Sequence, residues 1–559
     1  MIKYSNYLLL ATLLYSIVAI FSINKPLTLD QAIPVAENAG AIAHFGFDAL
    51  GSKEKEYEIA HPTLHQHLLA IVFMIFGEST FSARFLGVLC FIGVLVLIIK
   101  LSMQIYSGEK GIIIGGIASI IYAINPFIIQ NSLVVDQETT ILPITLLLFI
   151  YVLYRNKFNF DAIDILKLST SFALCIWAKD IPPYFMIVSL FLFLWFYRGF
   201  YKSFIVTFQI TVFGTAIFFG TWVLYCFVTK IPVLSFIEFS ILNKAINPTF
   251  HTGRSITQGI RTLLDISGRW LTPALLILLA LAASSRILQL VREKFTLRQN
   301  DYLWFYVVFY WTITNLYMYN LPRYQYPLYS IAVILIAEHV YTSLYEINRR
   351  HIIITIIFGL LMAGIMALFF EDPILQKADI GNKQYVLFMI IIPMLTFIIL
   401  NKYNKIPLLN YKNIIMTFLS LLIATSVSLN IKQSRSYTTA VSWNEYGEEG
   451  FCDTLEYLNK NLGASIPVIR KDFGYYLSRD RPNKKYAYVY TSIFRAENLK
   501  NINSVSSIQS SIIKDNIEYV VLDQHANPET AKIIISPYFD YIQRFGDFYI
   551  YRKKHHALH

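Results

Sequence analysis

Residues 61–77 read HPTLHQHLLAIVFMIFG, and whether this stretch crosses a membrane decides the topology of everything that follows it. Its apolar core, LLAIVFMIFG, is short, because a helix needs about 20 apolar residues to span the hydrocarbon core of a bilayer. Histidines precede this core. The stretch therefore predicts a helix that lies at a membrane surface instead of crossing.

The composition around this stretch is that of a membrane protein. The chain has 559 residues, of which 55% are hydrophobic and only 15% are charged, with a mean hydropathy of +0.50. Soluble domains carry about 25% charged residues, so apolar runs of about 18–20 residues explain the difference directly. The first run, residues 7–23, lacks a small-x-small cleavage site and is interpreted as a retained first helix.

The pattern of apolar runs predicts about thirteen transmembrane helices. After the first helix, the predicted spans are 81–101, 111–129, 137–154, 162–178, 181–198, 203–228, 270–286, 301–319, 324–343, 351–370, 385–401 and 411–431. With residues 61–77 placed at the outer surface, all loops rich in lysine and arginine fall on the cytoplasmic side, as the positive-inside rule requires. The net charge of +11 is then explained by membrane orientation, and no nucleic-acid partner is expected.

The sequence divides into two predicted domains. Residues 1–431 form the transmembrane domain, with surface helices on the outer face within 25–80 and a long outer loop over 229–269. Residues 432–559 are more polar and contain short strand and helix patterns, which predict a soluble extracytoplasmic α/β domain. The four cysteines show neither metal-binding spacing nor a disulfide framework.

Three ionisable residues stand at the predicted outer ends of helices. Asp30 follows the first helix, and its carboxylate is placed to act as a general base, although a helix cap is an equally physical interpretation. Asp136 has the same two interpretations. Lys179 is costly near lipid unless it binds something or pairs with a neighbour, and Asp180 is the neighbour that the sequence offers.

Two further sets of side chains suggest ligand binding. His61 and His65 have the i, i+4 spacing that lets two imidazoles share a metal, and Glu58 could join them, although interfacial histidines without metal are commoner. The outer cations could bind a phosphate, since arginine suits a bidentate contact, but each alone could be a surface charge. These cations are Lys244, Arg254, Arg261 and Arg323.

Five segments in order resemble the GT-C membrane glycosyltransferases that use polyprenyl-phosphate sugars, a group that includes protein O-mannosyltransferases and lipid A aminoarabinose transferases. The segments are TLDQAIPVAENAGAIAHFG, HPTLHQHLLAIVFMIFGESTFSARF, VVDQETTILPITLLLFIYVLYR, AKDIPPYFMIVSLFLFL and NLPRYQYPLYSIAVILIAE. They cover roughly residues 1–345, and the tail resembles the family only in kind. This chain departs from the family in having Asp30-Gln31, His61-Pro62-Thr63 and Lys179-Asp180 where relatives carry Asp-Glu, a double proline and Lys-Gly.

The resemblance implies a role for each matched residue. Asp30 is the expected catalytic base or acceptor orienter, and Asp136 is the expected second carboxylate of the cavity. The residues expected to bind the substrate are His61, Lys179, Lys244, Arg254, Arg323 and Tyr324. No cofactor is required by this chemistry, and a divalent metal on His61, His65 and Glu58 remains open.

The sequence thus predicts an integral inner-membrane glycosyltransferase of a bacterium, with the active site and C-terminal domain on the periplasmic side. The predicted donor is a polyprenyl (undecaprenyl) phosphate sugar, the predicted acceptor is lipid A or lipopolysaccharide, and the stereochemistry is inverting. Membrane lipids are the other expected partners. Protein O-glycosylation is the alternative within the enzyme class. A lipid-linked sugar transporter or flippase is the alternative from another class, since charges within helices also mark transport pathways.

Overall fold

The computed structural model describes two compact units. The first comprises Met1–Ile23 and Ile42–Ser436, and the second comprises Asn24–Ala41 and Tyr437–His559. Within them, the described residues are 4–25, 27, 35–51, 59, 61–235, 273–317, 325–344, 357, 360, 411–434, 450–461, 466–469, 473, 487–488, 517–523, 536–546 and 548–554.

The described part of the first unit is helical. Its helices are α1 (Tyr4–Ala19), the end of α2 (Glu37–Phe45), a 3-10 turn (Ala49–Gly51), α3 (Leu64–Phe76), α4 (Thr80–Ile105), α5 (Gly108–Ile124), α6 (Pro126–Ser132), α7 (Ile141–Arg155), α8 (Ala162–Ala178), α9 (Pro182–Arg198), α10 (Phe200–Thr229), α11 (Pro273–Arg292), α12 (Asp301–Tyr317), α13 (Tyr326–Leu344) and α14 (Tyr411–Ser434).

Several of these helices are membrane spans by length and composition. Among the described residues, α4, α10, α11 and α13 each qualify alone, and α5 with α6 makes a fifth if the bent pair is one span. The architecture is therefore that of a helical membrane protein. The predicted number of thirteen stays a prediction, because spans 351–370 and 385–401 lie outside the described helices. Helix α3 has 13 residues, about 20 Å, which is short for a crossing.

The predicted span 111–129 is not one straight helix. The chain bends by 75° between α5 and α6, because Pro126 disfavours helical geometry at the residue before it. Asn125 is extended, with φ −71° and ψ 120°, and its side chain caps α6 by accepting the Ile128 N–H at 3.1 Å. The helix therefore ends at Ile124 and restarts at Pro126 in a new direction.

The end of α6 is held tightly by neighbouring helices. A Cβ at Gly87 of α4 would lie 2.1 Å from the Ser132 carbonyl oxygen, so only glycine allows this approach. Arg84, fully buried on the same helix, donates to the Leu133 carbonyl. The Tyr15 hydroxyl of α1 hydrogen-bonds the Ser132 hydroxyl at 3.0 Å. These contacts fix the start of the segment that leads to α7.

Besides the first residues of α2, the described part of the second unit contains a helix and a mixed sheet. Helix α15 (Phe451–Asn461) is followed by β1 (Ile466–Ile469), β2 (Ala487–Tyr488), β3 (Ile517–Asp523), β4 (Phe539–Phe545) and β5 (Phe548–Lys553). The strand order is β2-β1-β3-β5-β4. Strand β1 pairs in parallel with β2 and β3, whereas β5 pairs antiparallel with β3 and β4. The prediction that this part is soluble and extracytoplasmic stays a prediction.

Candidate functional site

Four charged or titratable side chains from three segments meet at one end of the first unit. Lys179 follows α8, and its Nζ lies 2.5 Å from Glu138 Oε1, in the turn before α7. The same Nζ lies 2.8 Å from His61 Nε2, just before α3. His61 Nδ1 in turn lies 3.2 Å from Asp180 Oδ1. We call these four residues the charged network.

The charged network is almost closed to solvent. The Lys179, Glu138 and Asp180 side chains are 4%, 2% and 5% exposed, and only His61 is more open at 17%. Buried charges persist only when they are paired and hydrogen-bonded, since breaking such a pair costs about 3–5 kcal/mol. The pairing therefore explains how a lysine is tolerated at the end of an apolar helix.

The contacts define the tautomer of His61. An ammonium has only donors, so Lys179 Nζ donates and His61 Nε2 accepts. A neutral imidazole then carries its proton on Nδ1, which faces the Asp180 carboxylate. His61 thus links the Lys179 ammonium to Asp180 through its two ring nitrogens.

The local sequence explains why Lys179 sits at a break between helices. Lys179 is the C-cap of α8, with extended backbone at φ −162° and ψ 135°, and its N–H donates to the Cys175 carbonyl. Pro182 and Pro183 then occupy the first positions of α9, where proline fits because the missing N–H has no helical partner. The interruption leaves Lys179 and Asp180 in a short connection that faces the turn carrying Glu138.

Asp136 shapes that turn and does not cap α7. The N-cap of α7 is Thr140, four residues further on. Asp136 is buried, and its carbonyl accepts the Thr140 hydroxyl at 2.7 Å. Its Oδ1 accepts the Glu138 N–H at a long 3.4 Å, in the manner of an Asx turn. The sequence interpretation of a helix cap is thus replaced by a turn that presents Glu138.

Sequence reasoning missed Glu138 and considered only Asp180 as an ion-pair partner for Lys179. The acid at 2.5 Å is Glu138, 41 positions earlier in the chain, whereas the Asp180 carboxylate lies 3.2 Å from His61 Nδ1. The signal was present in VVDQETT, where a second acid follows Asp136 within a long uncharged region.

The other predicted site residues lie outside the described residues. These are Asp30, Glu58, Lys244, Arg254, Arg261, Arg323 and Tyr324, and their roles stay predictions. For the suggested metal site, both ring nitrogens of His61 are engaged by Lys179 and Asp180, so a metal would have to replace one of these contacts. In the described part of the chain, no group of three histidine, cysteine, aspartate or glutamate side chains is arranged to hold a metal.

His65 is buried one helical turn beyond His61. It is 1% exposed, and no described residue hydrogen-bonds either of its ring nitrogens. Burial lowers the pKa of His65 to about 4, although the nearby Glu138 carboxylate acts in the opposite direction. The imidazole is therefore neutral at pH 7 and lies beside the charged network.

We expect His65 to make stability depend on pH. Between pH 6.5 and about 4 the unfolded chain binds a proton here that the folded chain does not, so stability is present above this window and is lost as the pH falls through it, by about 3 kcal/mol in full. His65→Gln should therefore flatten the fall in Tm between pH 6.5 and 4. The control is His44→Gln, at a side chain that is 60% exposed. Parallel wild-type and His65→Gln profiles would refute the assignment.

The fold of the chain is similar to that of a solved membrane protein. ArnT from Cupriavidus metallidurans, solved with undecaprenyl phosphate bound, has a TM-score of 0.55 to this chain at 12% identity, covering 99% of both chains. The apo form of that protein gives a TM-score of 0.51, also at 12% identity, covering 98% of both chains. An oligosaccharyltransferase from Archaeoglobus fulgidus gives 0.46 at 12% identity, covering 99% of this chain and 74% of its own.

Sequence comparison adds nothing to this likeness. No protein-family profile matches the chain, and no curated protein sequence matches it. The similarity is thus one of architecture over the whole chain, and the chemistry has to be argued from the residues of the site.

Proposed function

We propose that this protein is an inverting glycosyltransferase that moves a sugar from a polyprenyl phosphate, such as undecaprenyl phosphate, to an acceptor of the bacterial envelope on the outer face of the inner membrane. The observation that carries the proposal is the charged network. Its buried Lys179–Glu138 pair lies where helices end, in a chain whose fold is similar to that of ArnT. Charged groups buried within a membrane protein are expensive and usually functional.

The chemistry requires cations on one side of the sugar and a base on the other. The acceptor oxygen attacks the anomeric carbon while the bond from that carbon to the phosphate oxygen breaks, and polyprenyl phosphate leaves as an anion. Lys179 stabilises the charge that develops on the phosphate, with Lys244, Arg254, Arg323 and Tyr324 as the further proposed contacts. Asp30 accepts the proton of the acceptor from the opposite face, and this geometry inverts the anomeric centre.

Glu138 and His61 hold Lys179 ready for this task. Their contacts at 2.5 and 2.8 Å fix the position of the ammonium, and groups that are already oriented cost no reorganisation during the reaction. Asp136 supports the arrangement by shaping the turn before α7. A polyprenyl phosphate donor is further supported by the ArnT structure, which was solved with undecaprenyl phosphate.

The proposed acceptor is lipid A or another part of lipopolysaccharide. The test compares lipid A and surface glycoproteins by mass spectrometry in a deletion strain with and without the wild-type gene. We expect lipid A from the deletion strain to lack the mass of one sugar and the wild-type gene to restore it. If the sugar is missing only from glycoproteins, the acceptor is a protein and not lipid A. Unchanged lipids and proteins in both strains would refute the transferase proposal.

A further inference from the structure

A polar pocket lies at the opposite end of the helix bundle from the charged network. It is lined by the last turns of α11 and α13 and by the start of α12, including Arg286, Asp301, Trp304 and Glu338. Helix α7 runs from the charged network to the pocket. Glu138 precedes its first residue, and Tyr154, near its last residue, donates to the Gln299 carbonyl beside the pocket. With 15 residues, α7 separates them by about 22 Å. This is the predicted cytoplasmic face.

Glu338 is the lining carboxylate that has no ion pair among the described residues, and the charges of Lys110 and Arg286 act on it only from a greater distance. Its Oε2 accepts the Tyr106 hydroxyl at 2.7 Å, and no described lysine or arginine lies within ion-pair distance of it. The nearby Lys110 ammonium sits over the Tyr106 and Tyr341 rings, at 5.5 and 5.9 Å from their centroids. A carboxylate on a membrane-spanning helix is costly and normally has a partner.

The arginines of the pocket are engaged by other acids. Arg286 binds Asp301 through both Nε and Nη2, at 2.5 and 2.6 Å. Arg298, whose side chain is 61% exposed at the mouth, contacts Glu293. A purely anionic ligand would therefore compete with these carboxylates and would also face Glu338. A ligand with both an ammonium and a phosphate fits better, since its ammonium meets Glu338 and its phosphate meets the exposed guanidinium of Arg298.

We propose that this pocket binds the headgroup of an amine-bearing phospholipid, with the primary ammonium donating to Glu338 and the phosphate directed to Arg298. The site lies between helices at the end of the bundle, where a lipid headgroup reaches it from the bilayer surface, and Trp304 is of the residue type that anchors at such interfaces. A primary ammonium supplies three N–H donors, whereas the trimethylated ammonium of phosphatidylcholine supplies none. The proposal is independent of the catalytic function proposed above.

The test measures lipid retention on the purified full-length protein by native mass spectrometry. Phosphatidylethanolamine, its N-methyl and N,N-dimethyl forms and phosphatidylcholine with the same acyl chains are offered at equal concentration. We expect retention to fall along this series, by about tenfold from first to last, because each methylation removes an N–H that can donate to the Glu338 carboxylate. Equal retention across the series, or equal retention of phosphatidylglycerol, would overturn the proposal.

A variant pair locates the effect. Glu338→Gln keeps an acceptor for the Tyr106 hydroxyl but removes the charge, and it should abolish the preference for phosphatidylethanolamine. The matched control is Glu109→Gln, at an exposed residue at the start of α5, which should keep the preference.

Soluble glycerophosphoethanolamine should compete only weakly if the acyl chains contribute, whereas full competition would identify a soluble amine phosphate as the ligand. If Glu338→Gln still prefers phosphatidylethanolamine, Glu338 does not bind the ammonium and the proposal is overturned. If this variant does not fold, the lipid series measured on the wild-type protein still tests the proposal.

Discussion

Lys179→Ala should lower the rate of sugar transfer by about 100-fold or more, because losing one group that stabilises developing charge costs about 10²–10³ in rate. The variant should also lose stability, since it leaves the buried Glu138 carboxylate without its partner at 2.5 Å, and breaking a buried pair costs about 3–5 kcal/mol. The measurements are the initial rate with a polyprenyl phosphate sugar and the Tm of the purified protein.

A second variant separates these two effects. Lys179→Met combined with Glu138→Gln removes both charges and roughly keeps the volumes, and neutral replacements of a buried pair often restore stability. We expect the Tm to recover and the rate to stay low. A double variant that recovers both would show that Lys179 is structural only.

The matched control for Lys179 lies on the same helix. Lys167, near the start of α8, is 54% exposed and pairs at 3.2 Å with Asp164, whose side chain is 11% exposed. An ion pair whose cation reaches the solvent contributes about 0–1 kcal/mol. Lys167→Ala should therefore keep both the rate and the Tm near wild type. A wild-type rate in Lys179→Ala would remove this residue from the site.

The helical membrane class follows from the sequence because it depends on local features. The predicted span 162–178 coincides with α8, since Asp161 caps its start and the Pro182-Pro183 pair forces a break after it. The bend at Asn125 was missed, although the dipeptide Asn125-Pro126 is a known turn signal. The bend was not visible in the apolar content of residues 111–129, because hydropathy indicates burial and does not indicate the direction of the helix axis.

The site was predictable only in part, for a physical reason. The cost of a lysine near lipid identified Lys179 correctly as a residue that needs a partner. The identity of that partner depends on how α7 and α8 pack. The spacing of residues along the sequence does not report this packing. Proximity in sequence therefore favoured Asp180, while packing placed Glu138 against the ammonium. Similarly, the i, i+4 spacing of His61 and His65 suggested shared metal binding, yet His61 uses both nitrogens within the charged network.

Asp30→Asn should reduce turnover by about 10²–10⁴-fold, the usual contribution of a general base. Asparagine keeps the shape and hydrogen-bonding capacity of the side chain but cannot accept the proton of the acceptor. Because the proposed mechanism assigns donor binding to Lys179 and the other cations and not to Asp30, we expect the KM for the donor to change far less than kcat. The measurement is a full rate profile against donor concentration, with expression level and Tm as checks on folding.

Asp48→Asn is the control that makes the Asp30 result interpretable. Asp48 follows α2, its side chain is 55% exposed and it forms a long ion pair with Lys230 at 3.8 Å, so removing its charge should leave kcat unchanged. If Asp30→Asn is as active as Asp48→Asn, the proton must pass to another group, and Asp136 is the next carboxylate to test. Asp136→Asn can still accept the Glu138 N–H and so keep the turn, which means that a loss of kcat in that variant would report the missing charge rather than a misplaced Glu138.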